Sequence, residues 1–200
     1  VPMFHVNAWG MPYAAALTGC KLVLPGPALD GKSVYELIEA EEVTFAAGVP
    51  TVWQMMLGHM AQNKLKFSTL NRTVNGVSVM HAWGMTEMSP LGTLCSLKNK
   101  HLHLPHDEQM HILEKQGRAV YGVEMKIVGA DGSEQPWDGK TYGDLLVRGP
   151  WILDTYYKGE CPLVKDENGV GWFPTGDVAT IDADGYMQIT DRTKDVIKSG

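Results

Sequence analysis

Two Ala-Asp-Gly steps, Ala130-Asp131-Gly132 and Ala183-Asp184-Gly185, do most to limit what this chain can fold into. An Asp-Gly step supplies the positive φ angles of a tight reversal, so β-prone runs on its two sides return antiparallel to each other. Such runs are present. Glu124–Val128 precedes the first step and Asp144–Val147 follows it. Val178–Ile181 precedes the second and Tyr186–Thr190 follows it. The pattern predicts a small β-barrel or meander over residues 117–190, with the second step closing a hairpin.

Residues 1–116 carry a different pattern. Lys21–Leu24 is a short β-prone run closed by Pro25-Gly26-Pro27. Ser33-Val34-Tyr35-Glu36 has the form of a capping box, and Val34, Leu37 and Ile38 then fall on one helical face. Val43–Ala47 reads as a buried strand ending at Gly48. Thr51-Val52-Trp53-Gln54 repeats the capping pattern and opens a Met-rich helix towards Met60, and Arg72–Met80 is strand-like again. Asp107–Gln116 reads as a helix with Asp107 as N-cap and Gly117 as its closing glycine. Alternation of this kind predicts an α/β fold, a parallel sheet with covering helices, followed by the small β-barrel subdomain.

Charge and cysteine usage remove several function classes. The formal net charge of -6 comes without any cluster of Lys and Arg, which argues against a nucleic-acid partner. Apolar runs are broken by Pro, Gly or charge well short of the ~20 residues of a membrane span. Cys20, Cys95 and Cys161 are odd in number and widely spaced. That usage suits a reducing compartment, and a cytoplasmic location is the expectation.

Three segments carry chemistry. The first is Val1-Pro2-Met3-Phe4-His5-Val6-Asn7-Ala8-Trp9-Gly10, and the second is His81-Ala82-Trp83-Gly84-Met85-Thr86-Glu87. The third joins Trp172-Phe173-Pro174-Thr175-Gly176-Asp177 to the run from Asp191-Arg192-Thr193-Lys194 to Lys198-Ser199-Gly200. After a strand, an aromatic, a glycine, a hydroxyl and a carboxylate suit a base, a phosphate and a Mg²⁺ ion. They equally suit a turn with a helix-capping Thr. An ionised Asp177 accepts hydrogen bonds through two oxygens, as a ribose diol requires, yet Asp is also an ordinary turn residue. Arg192, Lys194 and Lys198 fit ribose or phosphate, or a solvated charged face.

In wording and order the three segments resemble the fatty-acyl branch of the adenylate-forming (AMP-binding) enzymes, the acyl-CoA synthetases and their kin. Ala47-Gly48-Val49-Pro50-Thr51-Val52-Trp53 and Gly149-Pro150-Trp151-Ile152 extend the likeness over nearly the whole chain. The resemblance implies the fold of the family's large N-terminal domain. It places an α/β part at 1–116, the barrel subdomain at 117–190, and at 191–200 a hinge linker to a small C-terminal domain. Of the opening segment it implies that Trp9 gates an acyl tunnel, Val6 lies along the nucleotide and His5 approaches the reacting carboxylate. His5 also reads as a core histidine bonded to backbone.

In the second segment, His81, Ala82, Trp83 and Gly84 would line the base, Thr86 would meet phosphate and Mg²⁺, and Glu87 would be the metal ligand. Asp177 would grip the ribose with help from Arg192, Lys194 would sit at the hinge, and Lys198 would reach phosphate or the acyl carboxylate. Catalytic roles are thereby implied for His5, Thr86, Glu87 and Lys194. The implied substrates are a fatty acid, ATP and coenzyme A, with Mg²⁺ as cofactor. The carboxylate attacks the α-phosphorus of ATP to give acyl-AMP and pyrophosphate, and the thiol of coenzyme A then displaces AMP. A ligase for a short thioether or aryl acid fits the same motifs, as does an inactive nucleotide-binding remnant. A homodimer of the full-length parent is compatible with the likeness.

The chain departs from the family pattern at three places. The phosphate loop would lie before Val1 and the C-terminal domain beyond Gly200, so the chain reads as an internal fragment that is itself expected to be inactive. The third departure is an internal deletion near 77–81. There Asn75-Gly76-Val77-Ser78-Val79-Met80 runs straight into His81, with no room for the dozen or more residues of a parallel crossover. At Gly117–Gly122, Ala119 and Tyr121 stand where the family more often has Pro, and only local loop changes are expected.

Other clusters are weaker. His101, His103, His106 and His111 have no Cys or ordered acidic ligand set to complete a zinc site, and the resemblance implies an exposed connection there. Asp182–Gly185 has no Glu at the end of a twelve-residue calcium loop and reads as a hairpin. Met55, Met56 and Met60 suit adaptable core packing.

Overall fold

Asp30 starts the first well-packed helix of the chain. In the computed structural model, which describes residues 1–70, 79–160 and 162–192, its carboxylate accepts hydrogen bonds from the Lys32 and Ser33 amides at 3.1 and 3.0 Å and from the Ser33 hydroxyl at 2.6 Å. Helix α3 therefore spans Gly31–Ala40 and is capped by Asp30, three residues before the cap expected at Ser33. Helix α4, Pro50–Asn63, likewise begins with Pro in its first turn and no side-chain cap, so Thr51 lies inside it. A proline needs no N–H partner at that position. Val34 and Ile38 of α3 pack with Met56 of α4 and Leu70, with Trp53, Val52 and Phe67 around them. Gly31 allows this approach, since a Cβ there would collide with the Met55 carbonyl.

This core belongs to the first of two compact units, Val1–Val79; the second is Met80–Gly200. In the first unit, Lys21–Leu24 and Val43–Ala47 form no strand and have no ladder partner among the described residues. An extended segment becomes a strand only when a neighbour completes its hydrogen bonds. The parallel sheet read from their apolar runs is therefore not formed by them. Most of the third expected strand, Arg72–Met80, lies outside the described residues.

The second unit is built from antiparallel ladders. Strands β1 (Ala82–Gly84), β2 (Leu91–Leu94) and β3 (Arg118–Ala119) form a three-stranded sheet. In the other sheet β4 (Glu124–Val128) pairs with β5 (Tyr142–Arg148), and β5 pairs with β7 (Gly171–Ile181). Both β6 (Val164–Lys165) and β8 (Met187–Arg192) pair with β7. This is the meander of the expected pair of alternatives; among the described residues no barrel closes. The second Asp-Gly step makes its hairpin, with Ile181 opposite Met187 and Gly185 at φ +83°. The alternating inward residues Met125, Ile127, Leu145, Val147, Phe173, Ala179, Ile181 and Met187 form one core with Met88.

Around residue 116 two expectations change. The helix is α5, His106–Leu113, preceded by Pro105 rather than capped by Asp107, and it ends short of Gln116. The boundary drawn at 116/117 falls inside the second unit, because β3 pairs with β2 and Gly117 bridges to Met187. His101 is buried, not on an exposed connection. Its ring lies between the Tyr186 hydroxyl (3.2 Å from Nδ1) and Asp184 Oδ2 (3.3 Å from Nε2). Lys98 and Lys100 also reach Asp184, at 3.1 and 2.6 Å.

Candidate functional site

The His81–Glu87 segment is a strand followed by a single 3₁₀ turn. His81 closes it against the neighbouring elements: its carbonyl accepts from the Cys95 amide at 2.8 Å, and its Nδ1 lies 3.2 Å from the Glu114 carbonyl. Ala82, Trp83 and Gly84 form β1, antiparallel to β2. At Gly84 the register shifts and the chain passes against the Pro90 carbonyl, where a Cβ would collide. Only glycine fits there. The turn Thr86–Met88 follows, with Met88 fully buried as its anchor, Thr86 exposed and Glu87 half-buried.

Trp83 reaches out of this segment to Asp177. Its indole Nε1 donates to Asp177 Oδ2 at 3.0 Å, across 94 residues of sequence. Asp177 is only 7% exposed, and the Arg192 Nε approaches its other oxygen, Oδ1, at 3.4 Å. The pairing has a simple origin, since Asp177 and Arg192 face each other in the β7–β8 ladder. Thr175 fixes the backbone: its hydroxyl donates to the Leu145 carbonyl at 3.0 Å and accepts the Asp177 N–H at 3.1 Å. The aromatic, the carboxylate and the cation of the sequence reading thus meet at one place.

Glu87 has a partner that sequence reasoning missed. The Tyr156 hydroxyl lies 2.9 Å from Glu87 Oε1. No local spacing signals a contact between residues 69 positions apart, and the likeness noted at Gly149–Ile152 stops just short of Tyr156. Thr175 was passed over in the same way, although it stands two residues before Asp177.

His5, Val6 and Trp9 belong to the first unit. The His5 and Trp9 rings meet edge to face with centroids 6.4 Å apart, and Trp9 is 37% exposed. Val6 opens the one-turn element α1, Val6–Trp9, whose Asn7, Ala8 and Trp9 have φ of +50°, +51° and +57°. Left-handed backbone at consecutive non-glycine residues costs roughly 1–2 kcal/mol each. Lys194 and Lys198 lie outside the described residues.

A family model for AMP-binding enzymes matches residues 1–157. The chain belongs to the AMP-binding enzyme family. Among its curated relatives, a 3-methylmercaptopropionyl-CoA ligase of Ruegeria lacuscaerulensis is 51% identical over 218 residues, covering all of this chain and 40% of the relative. A medium-chain-fatty-acid–CoA ligase of Ectopseudomonas oleovorans is 49% identical over 217 residues, covering all of this chain and 39% of the relative. The chain therefore spans about two fifths of the length of these relatives. A solved fatty acyl CoA synthetase of Mycobacterium tuberculosis superposes with a TM-score of 0.75 at 26% identity, over 100% of this chain and 40% of that one. The fold expected from the three segments, that of the adenylate-forming large domain, is the fold observed. Matches of 217 and 218 positions exceed the 200 residues of this chain, so each relative holds at least 17 positions that have no counterpart here.

Proposed function

We propose that this AMP-binding family chain carries the adenine-nucleotide site of an acid–CoA ligase. The single observation that carries the reading is the junction of Trp83, Asp177 and Arg192. It sets a flat indole and a guanidinium on the two oxygens of one fixed carboxylate. The indole would stack on the base while Asp177 accepts from the ribose hydroxyls. Arg192 would pair with Asp177 and meet the nucleotide from the exposed side. His81, Ala82 and Gly84 would complete the wall of the base pocket. Lys194 and Lys198 are proposed as further cations near the ribose and phosphates, and the proposed internal deletion falls near 77–81.

Mg²⁺ fits the turn that follows. Thr86 and Glu87 offer a hydroxyl and a carboxylate, the hard oxygen donors this ion prefers. Among the described residues no group of three or more His, Cys, Asp or Glu could hold a metal. The remaining ligands would therefore be phosphate oxygens and water, as is usual for Mg²⁺. The ion supplies charge neutralisation at the phosphates when bound. Thr86 would orient a phosphate oxygen through its hydroxyl. In the first unit His5 would lie towards the acid's carboxylate and Trp9 would gate the acyl chain.

The proposed reaction joins a carboxylate to the α-phosphorus of ATP with loss of pyrophosphate, then passes the acyl group to the thiol of coenzyme A. A medium- or long-chain fatty acid is the leading substrate, in keeping with the wording of the opening segment. A short thioether acid is the second reading, favoured by the 51% identity to a 3-methylmercaptopropionyl-CoA ligase. The discriminating experiment is exchange of labelled pyrophosphate into ATP, with a protein of the relatives' full length that carries this chain. Exchange should require Mg²⁺ and a carboxylic acid. A fatty acid outrunning 3-methylmercaptopropionate supports the first substrate, and the reverse order the second. Exchange driven by an amino acid alone would defeat both.

A further inference from the structure

The connection that follows β5, residues 149–158, is tied at three points to the Thr86–Met88 turn and its capping residue Ser89. The Leu153 N–H donates to the Glu87 carbonyl at 2.8 Å, and the Ser89 hydroxyl donates to the Trp151 carbonyl at 2.9 Å. The third tie is the Tyr156 hydroxyl, which donates to Glu87 Oε1 at 2.9 Å, since an ionised carboxylate only accepts. Ile152 and Leu153 pack against the main core of the second unit, so the connection is anchored where it meets the turn.

From these contacts we infer that Tyr156 is a positioning residue for Glu87. The inference rests on the reading of Glu87 as the protein ligand of a nucleotide-bound divalent cation. A glutamate side chain turns about three bonds and samples several rotamers when unheld. Two backbone-directed ties fix the turn, and the phenol then selects one rotamer by holding Oε1. Oε2 is left as the oxygen offered to the cation. Partners of this kind orient a ligand and raise its affinity for metal without touching the metal themselves.

The test uses the 200-residue chain and ATP, titrated calorimetrically once with EDTA and once with Mn²⁺ as the probe cation. The quantity read is the factor by which Mn²⁺ tightens ATP binding. In Tyr156→Phe this factor should fall about 10-fold, with metal-free ATP affinity and the circular dichroism spectrum unchanged. Glu87→Gln should remove the Mn²⁺ dependence, and Tyr156→Phe added to it should cost nothing further. If Tyr156→Phe keeps the Mn²⁺ dependence, or weakens ATP equally with and without metal, Tyr156 only packs the connection and the inference fails while the nucleotide reading stands. Wild-type protein that binds ATP without any Mn²⁺ dependence would overturn the assignment of Glu87 together with the inference. Wild-type protein that does not bind ATP would overturn the nucleotide site itself.

Discussion

The Trp83 indole N–H donates to Asp177 Oδ2 at 3.0 Å and so joins the strand of the adenine-like motif to the longest strand of the meander. Residues proposed for base and ribose are held by one hydrogen bond. Displacing one should therefore be felt by the other. Asp177→Ala should weaken ATP binding by about 1.5–3 kcal/mol, the range for a hydrogen bond to a charged group. Trp83→Phe keeps a flat ring but loses the donor, and should lower the preference for ATP over its 2′,3′-dideoxy analogue. Equilibrium dialysis with both nucleotides measures this. An unchanged ATP affinity in a folded Asp177→Ala protein would reduce Asp177 to a turn residue.

Asp184 makes the stability of the second unit depend on pH. Hydrogen bonds from Lys100 and Lys98 hold its carboxyl well below the usual carboxylate range. A depressed pKa means that the contribution is complete above the unfolded value of about 4 and is lost as pH falls below it. Asp184→Asn removes the contribution at every pH. Urea midpoints of wild type and Asp184→Asn should therefore differ most above about pH 4 and draw progressively closer as pH falls from about 4 towards 2. A gap of constant size over that range would show that the lysine contacts do not act through the carboxylate's charge.

Order should be distributed unevenly along the chain. Leu145, Val147 and Ile127 are fully buried in the β4–β5–β7 sheet, whereas α2, Met11–Thr18, buries none of its side chains. Amide exchange should be slowest in β5 and β7 and fast throughout α2. Leu145→Ala should cost about 2–5 kcal/mol of the second unit's stability. Fast exchange at Leu145 and Val147 would contradict this core.

The parts of the fold that local chemistry decides were legible in the sequence. Glu124–Val128 is a strand with the bounds read from its pattern, and Asp184-Gly185 turns the hairpin it was expected to turn. The caps misled because Ser33 and Thr51 match a four-residue pattern, while Asp30 and Pro50 are better starts for the same helices. Lys21–Leu24 and Val43–Ala47 were read as strands from composition alone, but a strand also needs a neighbour to pair with. In the site, Trp83, Asp177 and Arg192 were each visible and the resemblance put Arg192 beside Asp177; the direct hydrogen bond from Trp83 to Asp177 was not, since it joins β1 to β7 across 94 residues. Tyr156 and the burial of His101 are products of tertiary packing and leave no short-range trace.

The central claim is that the Trp83–Asp177 junction receives an adenine nucleotide. Its most direct test is the ¹H–¹⁵N resonance of the Trp83 indole, assigned through Trp83→Phe, during titration of the 200-residue chain with AMP. A base stacked on the ring and a ribose sharing its carboxylate partner should shift that resonance saturably. The shift should be largely abolished in Asp177→Ala and weaker with 2′,3′-dideoxy-AMP. A Trp83 indole resonance that stays in place while AMP saturates the protein would contradict the account.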